Sequence, residues 1–186
     1  FKHRNSNCPV ILLFTTQHIT RKEAIPFLKN ALKIATNKSI PLMLYVKVHP
    51  TEENNTHLYK VLQSNYLEKC IVYHPAERSL YQLMYEVDIH LSVYSTSLYE
   101  SISIGTPTAI LDLKGKEYMF DLLGRGIAKL CASPEELIQY VDEVINNTIW
   151  WERWVDDTKK AADLFFAPHA VESIVNYLNE ITKRSD

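Results

Sequence analysis

Apolar residues recur in this chain in two patterns that take turns. Short, largely apolar runs of strand length fall at residues 9–15, 42–48, 70–73, 89–93 and 108–113, and 127–130 offers a last short strand. Between them the spacing is helical. Over 20–34 the apolar positions are Ala24, Phe27, Leu28, Ala31, Leu32 and Ile34, the three-and-four spacing of one helix face. Segments 56–67, 80–87, 97–104 and 134–146 read the same way, with a helical turn around 118–123. Thr20 with Glu23, Ser97 with Glu100 and Ser133 with Glu136 have the capping-box spacing, and Pro134 suits a first helical position. Gly105 and Pro107 end the 97–104 helix and return the chain to the sheet. Beyond 146 the sequence reads as helix over roughly 150–166, a break at Ala167-Pro168, and helix over 170–182.

Strands that are apolar throughout and alternate with helices predict a parallel sheet covered on both faces. The expected fold is therefore Rossmann-like: a three-layer α/β/α domain with a parallel sheet of about six strands and C-terminal helices. Residues 1–148 form the expected domain, and 149–186 the helices that pack on it. In such sheets ligands bind beyond the carboxyl ends of the strands, where the strand order reverses.

Composition narrows the function classes. The 186 residues suffice for one domain with its own core, and 46% hydrophobic content excludes a disordered chain. A net charge of −2 offers no electrostatic footprint for nucleic acid. Cys8, Cys70 and Cys131 are odd in number and lack metal spacing, which favours a reducing, cytoplasmic compartment and no metal or other cofactor. No apolar run reaches the ~18 residues of a membrane span. The opening Phe1-Lys2-His3-Arg4 has no initiator Met and no signal-peptide pattern, so the expectation is a piece of a longer protein.

Four loops carry candidate chemistry at one sheet edge. Lys47-Val48-His49-Pro50 closes the second strand, with Lys47 and His49 on one face and Pro50 holding His49 extended. A His at a strand tip can donate to a phosphate oxygen, and Lys47 can add charge; an ordinary solvent-facing strand end is the alternative. Ser95, Thr96 and Ser97 follow the 89–93 strand, where hydroxyls and a helix start can meet a phosphate. Capping alone explains Ser97 and Glu100, so a ribose contact by Glu100 is the weaker reading. Thr16 and Gln17 follow the first strand and reach the same edge, as a polar loop or as ligand contacts. His74-Pro75 follows the third strand, where backbone groups of 73–76 can read a base edge. His90 lies inside a strand and reads as a satisfied core residue. Trp150 and Trp154 share a helix face, which packing explains; a sugar or membrane platform is the alternative. The local motifs of P-loop, dinucleotide, zincin and α/β-hydrolase enzymes are absent.

The pair Lys47-Val48-His49-Pro50 and Ser95-Thr96-Ser97-Leu98-Tyr99-Glu100, followed by Gly105-Thr106-Pro107, resembles the C-terminal domain of GT-B glycosyltransferases of the capsule and cell-wall polysaccharide type. That group includes bacterial polysialyltransferases, Kdo transferases and CDP-glycerol glycerophosphotransferases. The resemblance covers roughly 9–146. It implies that His49 with Pro50, and Ser95, Thr96 and Ser97, hold the phosphate of a CMP- or CDP-linked donor, with His49 the candidate catalytic group. UDP-sugar enzymes such as 2-epimerases share the pattern, and an acid in the corresponding helix of many of them binds ribose, which keeps Glu100 in view. The resemblance also implies a nucleotide sugar as partner and a second, N-terminal GT-B domain that supplies the base. It extends to peripheral association of the parent enzyme with the inner face of the membrane. No Asp/Glu-Asp/Glu-Gly motif of the sialyltransferase type is present. The isolated chain is then expected to be inactive. A non-catalytic flavodoxin-like interaction domain is the competing class, with the Ser-Thr-Ser turn serving only as a cap.

Overall fold

Strand alternation decides which side of the sheet each helix covers. The computed structural model describes residues 8–146 and, beyond them, positions 153, 154, 156–158, 160, 161 and 165. Its strands are β1 (Val10–Thr15), β2 (Leu42–Lys47), β3 (Cys70–Tyr73), β4 (Ile89–Ser92), β5 (Thr108–Leu111) and β6 (Lys129–Cys131). The helices are α1 (Arg21–Asn37), α2 (Thr56–Asn65), α3 (Leu80–Glu86), α4 (Ser97–Ser103), α5 (Phe120–Gly124) and α6 (Pro134–Asn146), with 3-10 turns at Pro50–Asn55 and Lys116–Met119. Every strand pairing is parallel, in the order β3-β2-β1-β4-β5-β6.

Leu12 and Phe14 of β1, Leu44 and Val46 of β2 and Leu91 of β4 point to one face, against α1, α2 and α6. Phe27, Leu28, Ala31 and Leu32 form the stripe that α1 buries there, as their spacing predicts. On the other face Leu13 meets Leu83 and Met84 of α3, and Ile110 meets Leu98 and Ile102 of α4 and Leu122 of α5. Burying side chains of this size contributes roughly 1.5–3 kcal/mol each. The fold is thus the expected three-layer, Rossmann-like one with a six-stranded parallel sheet.

Several local expectations need correction. The box at Thr20 and Glu23 does not form, because Thr20 lies within a helical turn and its hydroxyl donates back to the Gln17 carbonyl. Ser97 is likewise not a cap: Thr96 precedes the helix, and the Ser97 hydroxyl turns inward instead. Ser79 and Gln82 form a full capping box at α3 that the sequence reading passed over. At α6, Ser133 caps Glu136 as expected, while the Glu136 carboxylate reaches the Ala132 N–H. Segment 50–55, to which apolar spacing assigns no element, is a 3-10 turn.

The boundary near 148, Trp150, Trp151 and the 170–182 helix lie outside the described residues. The described positions beyond 146 are helical, and Trp154 is buried, its indole N–H donating to the Gly105 carbonyl at 3.1 Å. Gly115 sits at φ +101°, and a Cβ there would come within 2.4 Å of the Tyr94 ring. Tyr94 in turn meets Tyr118 edge-on, with centroids 5.9 Å apart. Gly115→Ala is expected to lose about 1–2 kcal/mol from the left-handed backbone alone, and more as Tyr94 moves. A urea midpoint equal to that of the wild type would show that this packing contributes nothing.

Candidate functional site

The strand order reverses between β1 and β4. The chain leaves β1 into α1 on one face and leaves β4 into α4 on the other, so the loops after these two strands part and open a crevice. Gln17, with buried Thr15 and Thr16 behind it, stands on one side, and Tyr94, Ser95 and Thr96 stand on the other. β2 is the next strand, with Lys47 in register with Thr15, so His49 stands just beyond the same edge. Three bonds tie these tips together. The Gln17 side-chain carbonyl accepts the Tyr94 N–H at 3.1 Å, Ser92 Oγ donates to the Thr15 carbonyl at 3.1 Å, and the His49 N–H donates to Thr16 Oγ1 at 2.9 Å.

His49 is exposed, and its extended backbone (φ −68°, ψ 144°) is what a following proline demands. Nδ1 accepts the Thr51 N–H at 3.2 Å and lies 2.8 Å from the Thr51 hydroxyl. An accepting Nδ1 leaves the hydrogen of the neutral ring on Nε2, which faces outward as a donor.

Beneath His49 lies a fully buried carboxylate, Glu52. It accepts from Thr16 Oγ1 at 2.5 Å and from the Tyr59 hydroxyl at 3.1 Å, with Arg21 Nη1 at 3.8 Å. Burial first, and the Glu52 charge next, push the Tyr59 phenol well above its ordinary pKa, so it stays a donor. The Arg21 charge compensates a carboxylate that would otherwise be costly to bury. Sequence reasoning missed Glu52, Tyr59 and Arg21: in Pro50-Thr51-Glu52-Glu53 the acids look like a solvated turn, and only the fold reveals that one of them points inward.

Lys47 is engaged elsewhere. Its buried ammonium donates to the carbonyls of His74, Pro75 and Arg78 at 3.0, 2.9 and 2.8 Å, and also to that of Glu77. It therefore grips the loop after β3 rather than the crevice. Burial is the main cause that lowers its pKa. In the gripped loop the His74 N–H goes to the Glu77 carboxylate at 2.8 Å and the Ala76 N–H to His74 Nδ1 at 3.3 Å. His74 Nε2 lies 3.2 Å from the Glu53 carboxylate. The N–H groups of His74 and Ala76 are thus engaged within the loop, and Pro75 has none.

The Ser95-Thr96-Ser97 turn is the most open polar surface of the crevice. Ser95 Oγ accepts the Ser97 N–H at 3.3 Å and lies 2.7 Å from Ser97 Oγ. The N–H groups of Ser95 and Thr96 meet no acceptor among the described residues. Glu100 is half-buried on α4, with no side-chain partner among the described residues. Behind the turn, His90 is completely buried between Ser101 Oγ, 2.5 Å from Nδ1, and Thr15 Oγ1, 3.0 Å from Nε2. Burial lowers its pKa to about 3.

No protein-family model matches the sequence, and no curated protein matches it. Solved structures do match the fold. The C-terminal CMP-Kdo binding domain of WaaA from Acinetobacter baumannii superposes with a TM-score of 0.63 at 9% identity, over 83% of this chain and 90% of that one. S. aureus MnaA with UDP gives 0.69 at 16% identity, over 95% of this chain and 47% of that one. The wall teichoic acid polymerase TagF with CDPG gives 0.60 at 16%, over 98% and 43%. The fold is therefore that of the GT-B domains, and this chain spans less than half the length of the MnaA and TagF chains it matches.

Two outcomes follow from the site. Glu52→Ala strips Thr16, Tyr59 and Arg21 of their shared acceptor, and is expected to cost about 3–5 kcal/mol in denaturant unfolding; a loss below about 1 kcal/mol would show the carboxylate to be dispensable. His90 is neutral when folded, whereas the unfolded chain takes up its proton near the ordinary pKa of 6.5. Its stabilising contribution is full above that pH and falls as pH drops from 6.5 toward 3, by up to about 1.4 kcal/mol per pH unit. Stability measured from pH 7 to 4 should thus fall more steeply in the wild type than in His90→Gln. Parallel slopes would place the titration elsewhere.

Proposed function

We propose that this chain is the donor-nucleotide half of a glycosyltransferase that builds surface polysaccharide, with a CMP- or CDP-linked donor. The observation that carries the reading is the convergence of His49 and the Ser95-Thr96-Ser97 turn on one crevice at the strand-order reversal. His49 offers an outward Nε2–H, and the turn offers hydroxyls and two open backbone N–H groups. All are donors, and a phosphate needs donors. In transfer, negative charge grows on the phosphate as the sugar–oxygen bond breaks. Donors already aimed at that oxygen stabilise the leaving group, an effect commonly worth about 3–4 kcal/mol. His49 is the group we assign to that task, with Thr16 and Pro50 fixing where it stands. Lys47 acts at one remove, by holding the 74–78 loop against β2. Gln17 serves by bridging to Tyr94, and we assign Glu100 a ribose contact.

The WaaA and TagF structures, with CMP-Kdo and CDPG in their names, favour cytidine donors as the first choice. MnaA with UDP supports a second reading, a UDP-sugar enzyme such as a 2-epimerase, in which Glu100 takes the ribose. In either case a second domain supplies the acceptor site and the base, since the chain covers less than half of the longer neighbours. Among the described residues no helix is long and apolar enough to cross a membrane; peripheral attachment of a parent enzyme at the inner membrane face is part of the proposal.

Titration with CMP, CDP, UMP and UDP, followed by ligand-observed NMR, tests the reading. Cytidine nucleotides should bind, and His49→Ala should weaken them about tenfold, the equivalent of ~1.4 kcal/mol. A preference for UDP would favour the second reading. Silence toward all four from a folded sample would leave the Ser-Thr-Ser turn as an interaction-domain cap, and sugar transfer by this chain alone would refute the need for another domain.

A further inference from the structure

The crevice connects to the core through an unbroken line of hydroxyls. Ser101 Oγ lies 2.5 Å from His90 Nδ1, and His90 Nε2 lies 3.0 Å from Thr15 Oγ1. Thr15 Oγ1 is 3.4 Å from Ser97 Oγ, which is 2.7 Å from Ser95 Oγ. His90 and Ser101 are fully buried, and Thr15 and Ser97 are only 6% and 5% exposed. Ser95, half-buried, is the first member that reaches the crevice.

Counting hydrogens gives this line a direction. The Ser101 hydroxyl has one hydrogen, and His90 Nδ1 is its sole partner among the described residues; the hydroxyl of Thr108, in register with His90 on the next strand, has no partner among them. Were Nδ1 the donor, the Ser101 hydrogen would be buried without an acceptor, at a cost of roughly 1–3 kcal/mol by the usual range for such groups. Ser101 therefore donates to Nδ1, and the ring hydrogen sits on Nε2. Nε2–H then donates to Thr15, Thr15 to Ser97 and Ser97 to Ser95. Ser95 Oγ already accepts the Ser97 N–H, so both of its lone pairs are taken. Its own O–H can only point outward.

We infer that buried His90 is a positioning residue for the crevice, held by Ser101 as the Nε2–H tautomer so that Thr15 and Ser97 turn the Ser95 hydroxyl outward as a donor for an anionic oxygen. This rests on the phosphate reading of the crevice and adds what that reading lacks, a reason for the hydroxyl to be oriented before the ligand arrives. A freely turning serine can donate or accept. A serine at the end of this line donates only, and so selects an anionic oxygen over a donor group.

The tautomer is measurable without any variant. Long-range ¹H–¹⁵N correlation on the ligand-free chain, with His90 assigned through its backbone, should show a pyridine-like Nδ1 and a pyrrole-like Nε2. The reverse pattern overturns the inference. The second arm is CMP affinity in Thr15→Val, which removes one link while nearly preserving shape. We expect a five- to tenfold loss, similar to that in Ser95→Ala, with the double variant no worse than either single one. Wild-type affinity in Thr15→Val beside a loss in Ser95→Ala overturns the relay and leaves the phosphate reading standing. A wild-type chain silent toward CMP but with the Nε2–H form in its spectrum supports the hydroxyl direction and overturns the cytidine reading instead.

Discussion

One buried carboxylate organises the edge of this sheet where the candidate site lies. Glu52 sits in a turn after β2, yet it binds Thr16 at the end of β1, Tyr59 from α2 and, at longer range, Arg21 at the start of α1. Thr16 passes the constraint on, since the same hydroxyl that donates to Glu52 accepts the His49 N–H. A charge removed from water in this way tolerates few arrangements of its partners, because each one must stay within hydrogen-bond reach. The exposed His49 is therefore placed from below by buried chemistry, although nothing packs over its ring.

The same division of labour recurs across the crevice. Among the described residues, the groups that face outward here are few: His49, the Ser95 hydroxyl, exposed Thr96 and two backbone N–H groups. The groups that set them in place are many and buried. Rigid strands supply the backbone positions, and side chains at the strand ends, Thr15, Thr16, Gln17, Ser92 and His90, supply the cross-links. Tyr94, wedged on Gly115, fixes the outer wall.

Much of the fold is legible in the sequence. Over residues 8–146 the six strands and helices α1 to α6 lie where apolar spacing puts them, to within a few residues at their ends, because burial on two faces demands continuous apolar strands and striped helices. The convergence of residues around 16, 49 and 95 on one edge also follows from strand order alone. What spacing cannot convey is the direction in which a polar side chain turns. Lys47 reads as a phosphate ligand but spends its ammonium on four carbonyls. Ser97 reads as a cap but faces the core. Glu52 reads as surface, and Gly115 and Tyr94 lie too far apart in sequence for their contact to register. His90, by contrast, is the satisfied core residue that its strand position suggests.

The grip of Lys47 on the 74–78 loop also changes what the crevice can do at a distance. Its ammonium is ringed by carbonyls, and the Arg21 charge is balanced by Glu52. Neither of these two charges is left to draw an anion from solution. Capture would then rest more on short-range, oriented donors than on long-range attraction. Such a seat holds its guest by fit rather than by charge. Under the proposed reading, it would release a nucleotide readily once the fit is lost.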